Sequence, residues 1–236
     1  NAKEIIKIAH DRKIAVLLDC AQSIPHKEVD VRKLDADFIA FSGHKMLGPT
    51  GTGCLYGKEA LLEKLSPFIV GGDTVKDTTY STAEFEELPE RFEAGLQNYA
   101  GIIGFAEAAN YLMRIGKNNI EQHELKLNKK ITDELLKISG FEILGPKEAE
   151  QRSGIISFNI KNMDPHNIAM ILDQSANIMI RSGAHCVHSW FNAHQMKGSA
   201  RASLYLYNTE EEADVFTEEM KKIVKENPAF ERSEMP

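Results

Sequence analysis

The stretch FIAFSGHKMLGPTGTGCLYG, residues 38–57, decides how this chain is read. It opens as an apolar run of the kind that forms a sheet strand. It breaks at Ser42-Gly43, sets His44 and Lys45, turns through a glycine- and proline-rich segment, and resumes as a second apolar run, GCLYG. Most lysines sit on wet surfaces. Lys45 instead follows directly on a strand end. A little upstream, IAVLLD (14–19) ends the same way on Asp19. Continuous apolar runs suit strands covered on both faces of a parallel sheet, and ligands of open α/β sheets bind outside the C-terminal strand ends.

Working outward, residues 2–12 read as an amphipathic helix with Ile5, Ile6, Ile8 and Ala9 on one side. Helix, strand, connection, strand is the pattern of an α/β layer. GCLYG leads into a helical KEALLEKL, and residues 66–90 read as a long polar excursion. A strongly apolar helix is expected at 98–113, ended by Gly116. A second helix at 119–138, strands at 141–144 and 154–160, a helix at 165–174, strands at 177–183 and 200–207, and a helix from about Thr209 follow. Glu210, Glu211 and Glu212 favour the positive end of that last helix. The expected division is residues 1–116, an α/β portion with a mostly parallel sheet, and residues 117–236, a smaller α+β unit.

The 236 residues carry a net charge of −7, which speaks against non-specific binding to nucleic acid or anionic membrane. No apolar run approaches the roughly 20 residues of a spanning helix. The three cysteines, Cys20, Cys54 and Cys186, are too few and scattered for a disulfide framework. With no basic-then-apolar opening, they suit a reducing, cytoplasmic setting. The chain begins at Asn1 inside a helical pattern, without methionine, as a piece of a longer protein would.

Asp19 and Lys45 have an ordinary reading, a helix-capping carboxylate and a solvated amine. They also suggest a specific chemistry. A lysine amine at a strand end can form a Schiff base with pyridoxal phosphate, and a carboxylate can keep the pyridine nitrogen protonated. Ser42 and His44 could donate to the phosphate, and Gln22 to the ring oxygen. The glycines after Lys45 do not make a phosphate loop of the GxxxxGK[ST] type, because Gly57-Lys58 is followed by Glu59 and Thr52 stands at the first glycine position.

RSGAHCVHSW, residues 181–190, is the second constellation. A lone cysteine is most often an inert packing residue. Here Arg181, His185 and His188 flank Cys186, and an electropositive loop favours the nucleophilic thiolate. A zinc site built from His185, Cys186, His188 and His194 is the rival, but no paired CxxC or HExxH spacing supports it, and no metal is expected. Arg201, at the start of the next strand, is either a surface ion pair or a bidentate clamp for a substrate carboxylate.

VLLDCAQ together with FSGHKMLGPTGTGCLY resembles the pyridoxal-phosphate heart of class V aminotransferase-fold enzymes. RFEAGLQN (91–98), RSGAHC (181–186) and ARASLYLYNTEEEAD (200–214) narrow the resemblance to SufS-type cysteine desulfurases. The fold it implies is the large-domain portion of a PLP-transferase of the aspartate aminotransferase type, followed by the small domain carrying the cysteine loop. Carried over residue by residue, Lys45 is the Schiff-base lysine, and Asp19 and Gln22 contact the ring. Ser42 and His44 hold the phosphate, Cys186 takes the sulfur, and Arg201 and Arg181 bind substrate. The implied partners are L-cysteine, a sulfur-acceptor protein of iron–sulfur cluster assembly, and a second copy of the chain. Two departures stand out. Leu96 replaces the threonine usual in RFEAGT, which reaches the neighbouring subunit's phosphate, and the N-terminal part of the family chain is not in this sequence. A selenocysteine lyase, another class V lyase or aminotransferase, and a non-catalytic fragment acting as a scaffold remain as alternative readings.

Overall fold

A computed structural model describes residues 1–226. Its contacts divide the chain into two compact units, Asn1–Lys117 and a second that begins at Asn118.

The first unit opens with α1 (Ala2–His10), capped by the Asn1 side chain accepting from the Glu4 amide. β1 (Leu17–Asp19) pairs parallel with β2 (Phe38–Ser42) across a connection that holds α2 (Val31–Leu34). β3 (Gly53–Gly57) returns antiparallel to β2, with Ser42 opposite Gly53. α3 (Glu59–Leu62) follows, then a hairpin of β4 (Val75–Thr78) and β5 (Ala83–Phe85). α4 (Tyr99–Ile115) closes the unit; the Asn98 side chain caps its start, and Gly116 at φ 89° ends it. Ile6, Cys20, Ala36 and Ile39 form the core of this unit, with Val16, Leu18, Phe41 and Tyr56 packed against it.

The second unit is a two-layer α+β arrangement. After α5 (Lys117–Leu135) come β6 (Phe141–Ile143), β7 (Ile155–Ile160), α6 (Pro165–Ala176), β8 (Arg181–Gly183), α7 (His188–Ala193), β9 (Ser199–Ser203) and α8 (Glu210–Lys225). The sheet order is β6-β7-β9-β8, antiparallel throughout. β7 alternates strictly, and its buried residues Ile156, Phe158 and Ile160 face one layer of helices. Leu127, Ile131 and Leu135 from α5, Ile168 and Leu172 from α6, and Phe216 and Met220 from α8 complete that layer at the i, i+4 spacing of a buried helix face. Phe158 stacks on Phe141 at 5.1 Å and meets Phe216 edge-on at 6.4 Å. Thr209 and Glu212 form a reciprocal capping box at the start of α8.

Several expectations need correction. The sheet is not mostly parallel: among the described residues, β1–β2 is the one parallel pair. The segment between β2 and β3 is too short for the dozen or more residues of a crossover, so the chain reverses. β1 spans three residues rather than six and lies at a sheet edge, leaving Leu17 57% exposed instead of covered on both faces. The excursion at 66–90 contains the β4–β5 hairpin. The strand expected at 177–183 shrinks to Arg181–Gly183, because Asn177 takes a left-handed backbone to end α6 and the Ile178 amide turns back to the Leu172 carbonyl. The strand expected at 200–207 stops at Ser203; beyond it the Tyr205 amide donates to the Asn208 side chain, forming a turn into α8.

Asp37 sits at the root of the first sheet. Its buried carboxylate accepts from the Val16 amide at 2.7 Å, lies 2.8 Å from His10 Nε2 and 3.0 Å from Lys58 Nζ, and so joins α1, β1, β2 and the start of α3. Burial alone pushes this carboxyl up, but the hydrogen bonds from His10, Val16 and Lys58 outweigh it and bring it down to about 2. A folded-state value below the unfolded one, about 3.9, contributes stability that is present above pH ~4 and is lost as pH falls toward 2. Asp37→Asn is therefore expected to cost about 1–3 kcal/mol at neutral pH. Denaturant unfolding should show the gap to the wild type closing between about pH 4 and pH 2.

Candidate active site

Two constellations emerge, one in each unit. In the first, Asp19 is the last residue of β1 and pairs in register with Ala40. Ala40 and Ser42 are two residues apart on β2, so Asp19, Ala40 and Ser42 address the same face of the sheet. Strand rise and spacing put the Asp19 and Ser42 backbones roughly 8 Å apart, the scale of one substituted aromatic ring. One Asp19 carboxylate oxygen accepts from the Ala21 amide at 2.9 Å, an Asx-turn that fixes the side chain where the strand ends. Gln22 follows, exposed, in the turn beyond.

Past Ser42 the chain enters a single 3-10 turn, Gly43–Met46, which carries His44 exposed and Lys45 half-buried. Leu47 ends it in a left-handed conformation. Ser42 caps the turn by position, but its hydroxyl makes no capping hydrogen bond, and Lys45 has no ion-pair partner among the described residues. The turn is held from below: the Gly43 amide donates to the Thr52 carbonyl at 2.9 Å and the Gly48 amide to the Gly43 carbonyl at 3.0 Å. A Cβ on Gly43 would lie 2.3 Å from Thr52 Oγ1 and 3.1 Å from the Phe105 ring. This glycine exists for close approach, not for unusual dihedrals. Gly43→Ala is expected to cost on the order of 1–3 kcal/mol, and Thr52→Ala in the same chain should return part of it. A double-mutant cycle by chemical denaturation measures the coupling.

In the second unit, β8 and β9 place Arg181 directly opposite Arg201. Like charges facing across a ladder destabilise it, and a local conflict of this kind makes the pair a candidate for binding an anion. Arg201 is half-buried and its Nε is buried with no hydrogen-bond partner. Burial, then the Arg181 charge, hold its guanidinium below the usual arginine value, while Cys186 acts in the opposite direction. Cys186 is a free, exposed thiol, and Arg181 Nη2 donates to its Sγ at 3.4 Å. His185 lies with Nε2 3.0 Å from the Ser199 carbonyl and 2.9 Å from its hydroxyl. Burial, then Arg201, push His185 below the usual histidine value. His188 starts α7, and the His194 ring stacks on Trp190 at 4.1 Å. No cluster of three potential metal ligands forms among the described residues.

The residues named from sequence thus fall into two groups. Asp19, Gln22, Ser42, His44 and Lys45 lie at or just past the C-terminal ends of the paired strands β1 and β2; Arg181, Cys186 and Arg201 gather at one strand pair. The first donor set suits pyridoxal phosphate: a carboxylate, a primary amine with no ion-pair partner, and a hydroxyl and an imidazole beside it. The orphaned Arg201 Nε suits a carboxylate. Leu96 is 88% exposed and offers no donor; nearby, Gln97 Nε2 is spent on the Ala94 and Gly95 carbonyls. Sequence reasoning missed Ser199, a small residue whose burial nothing in the sequence signals.

The class V aminotransferase model matches residues 1–216, and the chain belongs to that family. A probable cysteine desulfurase of Methanothermobacter thermautotrophicus is 43% identical over 94% of this chain and 56% of its own length. A cysteine desulfurase of Haloferax volcanii is 41% identical over 89% and 49%. The apo cysteine desulfurase of Thermococcus onnurineus NA1 superposes with a TM-score of 0.91 at 41% identity, over 95% of this chain and 56% of that one. The chain spans about half the length of the curated relatives it matches. No helix among the described residues is long and apolar enough to cross a membrane.

Proposed function

We propose that this chain carries the lysine and cysteine half of a SufS-type cysteine desulfurase. The reaction converts L-cysteine and the Cys186 thiol into L-alanine and a Cys186 persulfide, a change that balances in atoms and electrons. One observation carries the reading. A cysteine sulfur rests 3.4 Å from Arg181, whose cross-strand neighbour Arg201 keeps a buried N–H with nothing to donate to. A sulfur nucleophile beside an unpaired carboxylate clamp is what removal of sulfur from an amino acid requires.

Pyridoxal phosphate, when bound, supplies the electron sink for the substrate's α-carbon. Asp19 would face its ring nitrogen, Gln22 its ring oxygen, and Ser42 and His44 its phosphate. The Lys45 amine would hold the cofactor and would carry the substrate's α-proton. Arg201, with Arg181, orients the substrate carboxylate by charge-assisted hydrogen bonds. The Cys186 Sγ forms an S–S bond to the substrate sulfur as the substrate C–S bond breaks, and its exposure suits handing sulfur to an acceptor protein of iron–sulfur assembly. A homodimer and a cytoplasmic setting complete the reading.

Wild-type protein mixed with pyridoxal phosphate and reduced with borohydride is expected to gain one cofactor adduct, mapped by mass to Lys45. Lys45→Ala should gain none. Cys186→Ala should keep the adduct and the cofactor's visible absorbance, yet transfer no sulfur from L-cysteine. An undiminished adduct in Lys45→Ala would overturn the assignment.

A further inference from the structure

His185 and Cys186 are consecutive non-glycine residues with left-handed backbone, at φ 48° and 66°. Each such residue is disfavoured by the approach of its Cβ to the following carbonyl oxygen, and side chains hold that conformation only where their surroundings over-determine it. The surroundings here are specific. His185 Nε2 contacts both the carbonyl and the hydroxyl of Ser199, a residue with no exposed surface. A carbonyl can only accept, so Nε2 carries the proton and donates. The ring also lies 6.1 Å from that of Phe191, and the Val187 amide closes the turn onto the Ala184 carbonyl at 2.8 Å. Beneath it, Gly198 and Gly183 touch backbone to backbone: a Cβ on Gly198 would lie 2.7 Å from the Gly183 carbonyl carbon. The left-handed pair sends the His185 ring inward and the Cys186 thiol outward to Arg181. Ser199 stands two residues before Arg201 on the same strand and the same face.

We propose that His185 is a positioning residue for sulfur transfer: docked on Ser199, it fixes the left-handed backbone at 185–186 and so sets the Cys186 sulfur in register with the carboxylate clamp at Arg201. The inference rests on the sulfur-accepting role given to Cys186 above. Burial and the two arginines favour neutral His185, which suits an anchor that donates one hydrogen bond and does not suit a cationic group set beside Arg201.

The test uses His185→Gly, which removes the ring and relieves the backbone strain together, and His185→Gln, whose amide can still donate at about the reach of Nε2. Amide hydrogen exchange at 184–187, followed without cofactor, should rise on the order of tenfold in His185→Gly while β7 and α8 stay protected. With pyridoxal phosphate and L-cysteine, persulfide formation at Cys186, read by mass, should slow by roughly 10- to 100-fold. The L-cysteine concentration giving half the maximal rate should change little, and His185→Gln should recover much of the rate. Unchanged exchange in His185→Gly, or no advantage of glutamine over glycine, overturns the proposal. Should His185→Gly fail to fold, Ser199→Ala takes its place; it removes one of two acceptors and must show a smaller change of the same sign. Wild-type protein that forms no persulfide at Cys186 would overturn the desulfurase reading, and the exchange measurement would still decide whether His185 is the anchor.

Discussion

The buried carboxylate of Asp37 is the constraint on which the first unit is built. It lies at the N-terminal end of β2 and gathers the Val16 amide ahead of β1, the His10 ring at the end of α1, and the Lys58 amine just after β3. A charge taken out of water is tolerated only where several donors satisfy it, so these elements hold one relative position. Fixing the strand roots fixes the register of β1 against β2. That register carries Asp19, at the opposite end of its strand, to the face where Ser42 and the Lys45 turn emerge. The placement of Asp19 and Ser42 at one end of the sheet depends on an ion cluster at the other.

The second unit reaches comparable definition by another route. Its sheet is covered by the helices α5, α6 and α8, and Phe158 sits at the centre of an aromatic contact with Phe141 and Phe216. That packing leaves the β8–β9 edge free to hold an unfavourable arrangement, two arginines face to face, one of them with a buried N–H that has no hydrogen-bond partner. Local disfavour of this kind persists because the rest of the unit compensates for it.

Much of this was legible in the sequence, for identifiable reasons. α4, α5, α6 and α8 carry clear helical periodicity with caps at Asn98, Asp164 and Thr209, and β7 alternates along its whole length. The strand-end positions of Asp19 and Lys45 could be read because apolar runs stop abruptly at both. Pairing direction could not. An apolar run such as IAVLLD looks the same whether its strand is central or at an edge, and the return of β3 depends on a backbone approach between Gly43 and Thr52 that no periodicity encodes. The start of β8 and the end of β9 read as longer strands in sequence for a related reason: Asn177 and Asn208 divert the backbone with local hydrogen bonds that compete against strong strand-formers. The Ser199 anchor was invisible because its importance lies in a contact from fourteen residues away, not in its own chemistry.

The turn that bears Lys45 has a consequence for how this protein can change over time. Gly43 has room for nothing larger than hydrogen because the Thr52 hydroxyl and the Phe105 ring already occupy its surroundings, and Gly53 is closed in by the Phe41 carbonyl in the same way. Sequence drift at any one of these positions meets an occupied neighbour. Gly43 can therefore change only together with its side-chain neighbours, and Gly53, facing backbone, has no partner whose replacement would make room, so the lineage should record concerted substitutions at the first and none at the second.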